Sequence, residues 1–572
     1  MQIPLIQPES DWVAPDILPR FDPNETLAVD LETYDPNLTN RGPGWATGDG
    51  YVVGVAIASE DWSGYLPIRH ENGGNLEEEV VLRWLKRTFE NHKGTMVFHN
   101  SLYDVGWLKR EGVNLTCPLR DTMFAAPLLD ENRRSYSLNN LGKDLCAEEK
   151  DETLLEMAAK AWGVNAKSGM WSLPAKYVGP YAEQDAVLTL KLWKLLSKRI
   201  EAEGLQKIFD LECDLIPLLI EMRWRGVRID TAKAEQASEQ MSKKAQQLLV
   251  EIKRKFGTSI DIWDPHTAKG APSFQGPWLE AHEHELPKMI VEARKINKAR
   301  TTFIEGAILE YSHNGRIHAE AHPLKNDGGG TVTGRFSYSN PNLQQIPARD
   351  PQIGKMIRSL FIPEEGATWG IFDYSQQEPR ITVHYSSLLG LPGSADAVNA
   401  YSNEGADFHQ IVADMAGIPR KQAKDINLGL TYGMGREKLI KELGLEQDEA
   451  ARLLEVYHAR VPFIRAIQDR CTRTAQERGY ITTLAGRKCH FDLWEPVGYL
   501  ADEKRTPLPE QEARDQYGDN LKRSFTYKAL NKLIQGSAAD MTKLAMRELW
   551  REGMVPHIQI HDELDFSIFN KE

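Results

Sequence analysis

A chain of 572 residues with 41% hydrophobic and 26% charged residues has the make-up of a folded protein of several domains' length, which excludes a disordered or fibrous class. No apolar run approaches the roughly 18 residues a membrane helix needs, and the N-terminus lacks the basic-then-apolar order of a signal peptide, so the expectation is cytoplasmic. Five scattered cysteines (Cys117, Cys146, Cys213, Cys471, Cys489) argue against a zinc site and for a reducing compartment, and a net charge of −13 by itself favours a metabolic enzyme over a nucleic-acid binder.

In chain order, Leu27, Val29 and Leu31 alternate with Ala28, Asp30 and Glu32, which predicts a strand with one apolar face. Asp30 and Glu32 then leave the same face about 7 Å apart along the strand. Residues 51–58 and 64–68 read as neighbouring strands, 76–90 as an amphipathic helix and 96–99 as another short strand. Asn100 and Asp104 stand at i, i+4 on the start of a helix, and Tyr181 and Asp185 repeat the spacing on a helix continuing through Ile200. Any one of these spacings is more often a solvated face than a site.

From residue 189 to 225 the pattern is helical and nearly unbroken, so the first domain is expected to run into the next without a flexible linker. Another long helix is predicted over 232–256, then a Pro- and Gly-containing tip over 265–277. A returning helix from Leu286 carries Lys288, Arg294, Lys295, Lys298 and Arg300, charges able to follow a duplex backbone in a salt-sensitive way, or simply a solvated face. Thr333-Gly334-Arg335 and Asn342-Leu343-Gln344-Gln345-Ile346-Pro347 follow in the chain.

Residues 369–372 read as a short buried strand, Ser375 as a helix N-cap, and the positions through Tyr385 as a helix with Pro379 in its first turn. Asp373 therefore projects from a strand end. Further on, Pro419 starts a helix that Gly433 and Gly435 end. Arg420, Lys424, Leu428 and Tyr432 share one face of it, about 18 Å long, and the two cations can clamp a triphosphate. Finally, 555–560 and 564–568 alternate around His561-Asp562-Glu563, a hairpin with acids at its tip. Two Asp residues on neighbouring strands can hold two hard cations about 3.5–4 Å apart, and magnesium suits such a site.

The strings DYSQQEPR (373–380) and HDE (561–563), with the helix 420–432 between them, resemble the three core motifs of family A DNA polymerases, the group of bacterial DNA polymerase I and many phage replicative polymerases. Asp30-x-Glu32, Asn100 with Asp104, and Tyr181 with Asp185 resemble the DEDD exonucleases of the tyrosine subtype. The resemblance implies an α/β (α+β) protein: an RNase H-like 3′-5′ exonuclease domain over about residues 1–200, then a right-hand polymerase domain over about 201–572. Within the latter it implies a thumb over about 201–320, a palm over about 321–400 and 526–572, and fingers over about 401–525.

The implied activity is DNA-templated DNA synthesis with proofreading, in phage DNA replication. Asp30, Glu32, Asp104 and Asp185 would be metal ligands, with Tyr181 orienting the attacking water. Four converging acids repel one another unless cations lie between them, which is the physical reason to expect two metals. Asp373, Asp562 and the Tyr374 carbonyl would hold two Mg2+ (or Mn2+), with Glu563 an accessory acid, His561 bracing the hairpin or primer end and His409 reaching the triphosphate. Arg420, Lys424, Leu428 and Tyr432 would bind the nucleotide, although the family has Phe or Tyr at the Leu428 position. Arg335, Gln345, Asn531 and Gln535 would line the minor groove, whose acceptors are alike on every correct pair. Glu378 would occupy the space of a ribonucleotide 2′-hydroxyl.

The implied partners are primer–template DNA, deoxynucleoside triphosphates and replisome accessory proteins, for a monomer with no membrane partner, in the host cytoplasm if viral. A single-subunit RNA polymerase, the nearest rival, would lack the exonuclease motifs and Glu378. Family members continue with further palm structure after the HDE hairpin, so a C-terminally truncated chain, exonuclease-only or polymerase-inactive, is the alternative reading.

Overall fold

The computed structural model describes residues 4–257, 276–347, 350–402, 407–431, 437, 446–498 and 506–569. Its N-terminal part is built on five strands, β1 (Leu27–Tyr34), β2 (Tyr51–Ala58), β3 (Ser63–Pro67), β4 (Met96–Phe98) and β5 (Leu119–Asp121), in the order β3-β2-β1-β4-β5. Strands β1 to β3 are antiparallel, whereas β4 and β5 run parallel to β1, giving a mixed sheet. The anticipated apolar-in, polar-out alternation of β1 fails, because both faces are covered. Leu27, Val29 and Leu31 join one core with Phe89 and Phe98. Ala28, Ala56 and Ala58 join a second core with Tyr177, Tyr181 and Ala182. These small side chains let a long helix approach the sheet closely on the face that also carries Asp30 and Glu32.

That helix, here α2 (Ala175–Ala202), follows α1 (Ser101–Arg110) in the site's architecture. The helical run predicted over 189–225 is in fact interrupted, continuing as α3 (Gln206–Asp214) and α4 (Ile216–Arg225). Gly204 sits at the first break with a φ of +69°, a left-handed conformation that ends a helix without strain at glycine.

Two long helices, α5 (Thr231–Phe256) and α6 (Glu285–Lys298), pack antiparallel with Ile252, Met289, Ile290 and Ala293 between them. Residues 258–275, most of the predicted tip, lie outside the described residues. The basic stripe expected on the returning helix is only partly free. Lys295 pairs with Asp350, and Arg300 with Glu305 at 2.7 Å and Asn297 at 3.0 Å, leaving Lys288 and Lys298 exposed.

The C-terminal part centres on a three-stranded antiparallel sheet of β6 (Ala367–Asp373), β7 (Ile558–Ile560) and β8 (Glu563–Phe569), in the order β6-β8-β7. The strand 369–372 was expected to be buried. It is an edge strand, with Ile371 59% and Phe372 57% exposed. The same part holds α7 (Gln377–Leu388), α8 (Phe408–Ala416), α9 (Arg420–Thr431) and α10 (Ala529–Arg551), with Val383 of α7 sharing a core with Phe408 of α8 and Ile426 of α9. The N-cap of α7 is Gln376 at φ 55°, not Ser375 as predicted. Gln376 accepts hydrogen bonds from the Phe408 N–H at 2.6 Å and the Tyr401 hydroxyl at 3.2 Å, contacts that hold it in this turn.

Two polar clusters bind the N- and C-terminal parts together. Glu131 accepts from the His490 N–H at 2.6 Å and from Lys532 at 3.2 Å, and Lys325 donates to the Glu131 and Arg133 carbonyls at 2.9 Å. Deeper, Glu212 of α3 accepts from Lys543 at 2.7 Å and from Arg487 at 2.5 Å, and Asp540 accepts from Arg487 at 2.7 Å. All four of these side chains are 3% exposed or less. Burial pulls Lys543 down to about 8 against the opposing pull of Glu212. Charges out of water are tolerated only while paired, so Glu212→Gln should cost about 3–5 kcal/mol by leaving two cations on one acid. Lys543→Met added to it should recover much of that loss. The midpoints of chemical unfolding for the two variants check the pair: equal midpoints would mean that Lys543 does not depend on Glu212.

Candidate active sites

The N-terminal acids are assembled from three elements. Asp30 and Glu32 point from β1 toward α2, and one helical turn along α2 brings Tyr181 and Asp185 above them. Carboxylate oxygens of Asp30, Glu32 and Asp185 lie within 4.8 Å of one another. Asp104 of α1 stands beside this group rather than in it, its Oδ1 accepting from the Leu31 N–H at 3.1 Å.

Burial, and then the charge of Asp185, pushes Asp30 up to about 7. Burial, followed by the Asp30 charge, carries Glu32 and Asp104 well above the ordinary carboxylate range. A buried acid cluster with this much mutual repulsion calls for cations. One Asp185 oxygen, Oδ1, is buried without a partner among the described residues, which leaves it lone pairs to offer. The donor set is all oxygen and suits hard divalent ions.

Two cations that sequence reading missed already serve this site. Lys150 donates to Asp185 Oδ2 at 2.6 Å and to the Tyr181 hydroxyl at 2.8 Å, and Lys167 reaches the same hydroxyl at 3.1 Å. Both ammonium groups lie 4.3 Å from the centre of the Tyr181 ring. They come from loops without periodicity, so no local signal marks them. Asp121 was missed as well. It is fully buried and accepts from the Ser101 N–H at 2.7 Å, the Ser101 hydroxyl at 2.7 Å, the Asn100 N–H at 3.1 Å and the Met123 N–H at 2.7 Å, fixing the start of α1 and hence Asp104. An Asp placed before a helix was the available clue.

At the second site, Asp373 closes β6 opposite Glu563 on β8, and Asp562 lies in the β7–β8 turn next to it. His561 takes a φ of 56° in that turn, a conformation uncommon outside glycine, and this brings Asp562 beside Asp373. The two carboxyls are close neighbours, and burial followed by the Asp562 charge raises Asp373 above its ordinary value. The Tyr374 N–H approaches the Asp562 carbonyl at 3.4 Å. Glu563 is raised by burial, with Arg358 opposing. Both Asp residues border a cleft of about 240 Å³ whose other walls, among them Phe372, Leu549 and Phe566, are apolar. Two adjacent carboxylates at the rim of an open cleft again fit divalent cations.

Around this centre, Arg335 forms an ion pair with Glu378 in the first turn of α7. A smaller cleft contains Arg335, Gln344, Gln377, Gln559 and His561. Gln344 rather than Gln345 lines it, donating to Gln559 at 3.2 Å, while Gln345 is exposed. Asn531 and Gln535 are half-buried on α10, and Asn531 Oδ1 is without a partner among the described residues.

On α9, Arg420 is held by Asp407 at 2.5 Å and Lys424 is exposed. Asp407 also caps α8 through the His409 N–H at 2.9 Å, and His409, kept low by burial, contacts Asn427 at 3.1 Å. Leu428 lies within α9 with its side chain outside the description, and Tyr432 lies outside the described residues.

The sequence of the chain matches two family models: "3'-5' exonuclease" over residues 22–201 and "DNA polymerase family A" over residues 229–572. It is 36% identical to a DNA-directed DNA polymerase of Pseudomonas phage M6, over 98% of this chain and 91% of that protein. It is 29% identical to DNA polymerase DpoZ of Salmonella phage PMBT28, over 97% of this chain and 92% of that one. In fold it is similar to the POL domain of Pol1 from M. smegmatis, solved in complex with DNA primer-template and dNTP. That likeness has a TM-score of 0.72 and 22% identity, and covers 96% of this chain and 90% of the other.

Proposed function

The chain belongs to DNA polymerase family A and is a DNA-directed DNA polymerase with a 3′-5′ exonuclease domain, and from this premise we propose which residues carry each activity. The family works with divalent metals, and we assign Mg2+ here, held by Asp30, Glu32, Asp104 and Asp185 for excision and by Asp373, Asp562 and the Tyr374 carbonyl for extension. Bound divalent cations supply Lewis acidity: they neutralise charge developing on phosphate and acidify a nucleophilic water or hydroxyl.

In extension, the primer 3′-oxygen attacks the α-phosphorus of a deoxynucleoside triphosphate and pyrophosphate leaves. Arg420 and Lys424, on one face of α9, bind the triphosphate, with Arg420 leaving Asp407 to do so. His409, beside them, contacts the same phosphates. Lys288 and Lys298 follow the duplex backbone, and Arg335 and Gln344 face its minor groove. In excision, a water oxygen attacks the last phosphodiester of a single strand and a nucleoside monophosphate leaves, with Tyr181 at the reacting group.

The observation that supports the assignment best is that each matched segment holds its own group of adjacent carboxylates. Asp30, Glu32 and Asp185 gather within 4.8 Å in the first, and Asp373 and Asp562 border one cleft in the second, where the charge of Asp562 raises Asp373. Purified chain given a primer–template and Mg2+, with and without nucleotides, should lengthen and shorten the primer respectively. Loss of either with the other intact would remove one half of the assignment.

Glu378 is assigned to sugar selection. It stands in the first turn of α7, where the helix dipole favours an acid, and its ion pair with Arg335 fixes the carboxylate. Glu378→Ala should raise ribonucleotide over deoxynucleotide incorporation about tenfold or more, the discrimination a small volume change can supply. Glu378→Gln, which keeps the volume, should stay close to the parent. Competition assays with paired nucleotides test this, and equal discrimination in all three proteins would leave Glu378 only its place in the helix.

A further inference from the structure

Phenol oxygens have two lone pairs and one proton to give. In this structure the Tyr181 oxygen is approached by the Lys150 ammonium at 2.8 Å and the Lys167 ammonium at 3.1 Å. An ammonium group only donates, so both lone pairs are taken, and what the phenol has left to offer is its proton. The arrangement is enclosed: the Lys150 and Asp185 side chains are each 7% exposed, and Tyr181 itself is 8% exposed. Lys150 reaches the site from the loop before the helix Thr153–Trp162, and Lys167 from the loop after it, where Glu152 pairs with Lys167 and steadies it. A phenol meant to accept a hydrogen bond from a water would need a free lone pair.

We infer that Lys150 and Lys167 are positioning residues that commit the Tyr181 phenol to donating, so that in excision it gives its hydrogen bond to a non-bridging oxygen of the phosphate under attack and takes none from the attacking water. The inference rests on the assignment of Asp30, Glu32 and Asp185 to excision. It adds the polarity of Tyr181 and the two residues that set it. No proton leaves the phenol in this scheme. The water oxygen forms its bond to phosphorus, the bond to the 3′-oxygen of the preceding nucleotide breaks, and the proton the water loses passes to solvent while the leaving 3′-oxygen takes one up from solvent to become a hydroxyl, neither through Tyr181. A donor aimed at a phosphate oxygen stabilises the charge that grows there, whereas binding of the strand is little affected.

The test is single-turnover excision of the 3′ nucleotide from single-stranded DNA by the full chain, reading the maximal rate and the apparent DNA affinity separately. Tyr181→Phe, Lys150→Met and Lys167→Met should each lower the maximal rate, the first two by about tenfold to a hundredfold, with apparent affinity within a factor of about two. Lys150→Met combined with Tyr181→Phe should be no slower than Tyr181→Phe alone, because the ammonium acts through the phenol. Lys150→Arg, which keeps a donor, should restore part of the rate. Mn2+ bound per chain, counted by electron paramagnetic resonance, should equal the parent's in all these variants.

Multiplying rather than shared effects in the double variant, parent-like rates in both lysine variants, or loss of Mn2+ parallel to loss of rate would each overturn the inference. Primer extension in the same samples reports that each chain is folded, and Lys167→Met carries the question if Lys150→Met does not fold. Asp30→Asn separates the two levels. Excision surviving Asp30→Asn removes the site assignment itself, while excision lost with Asp30→Asn but unchanged in Tyr181→Phe removes only the inference.

Discussion

Asp373→Ala and Asp562→Ala should each lower primer extension at least about a thousandfold, a loss of roughly 4 kcal/mol of transition-state stabilisation, while excision continues. The reason lies in how these carboxyls are held. Asp373 ends an edge strand and Asp562 sits in a tight hairpin turn, and the register that pairs Asp373 with Glu563 leaves Asp562 as its immediate neighbour. Glu563 has its own place in the sheet, paired in register with Asp373 and Ile560, and its carboxyl feels the opposing charge of Arg358. Each substitution therefore removes an oxygen donor that no adjacent side chain replaces. Both positions border solvent at the cleft, so the variants should fold like the parent. Retained excision in the same preparation tests this, and extension above about a tenth of the parent rate would mean that the pair is not where the chemistry happens.

The converse change, Asp30→Ala with Glu32→Ala, should abolish excision to the same extent and leave extension standing. These two acids occupy one face of β1 and supply two of the three carboxylates gathered within 4.8 Å. Removing them leaves Asp185 paired to Lys150 and Asp104 held by the Leu31 N–H, neither of which can assemble a cation site alone. Burial and mutual repulsion raise both acids well above their usual range, so their loss relieves strain and should, if anything, raise the unfolding midpoint. A mispaired primer end should then persist through extension. If the double variant also lost extension while keeping its unfolding midpoint, the two activities would share one site and the division of residues made here would fail.

Much of this was legible in the sequence. Periodicity located β1, α2 and α9, the spacing of Asp30 with Glu32 and of Tyr181 with Asp185 fixed which side chains share a face, and the hairpin around Asp562 followed from alternation on both sides of it. These are short-range properties: a strand repeats every two residues and a helix every 3.6, so neighbours in sequence determine them. The same locality explains the misreadings. Ser375 has the chemistry of an N-cap, yet contacts from Phe408 and Tyr401 make Gln376 the residue that turns the chain. The strand 369–372 has the composition of a buried strand, and its burial depends on what lies across from it.

What only the tertiary structure decided are the partners. Lys150 meets Asp185 across 35 positions, Arg335 meets Glu378 across 43, Arg487 meets Glu212 across 275 and Lys543 meets Glu212 across 331. No periodicity links such distant positions. The charges come together because burial removes water, and in its absence each must find the opposite charge that the folded backbone brings within reach.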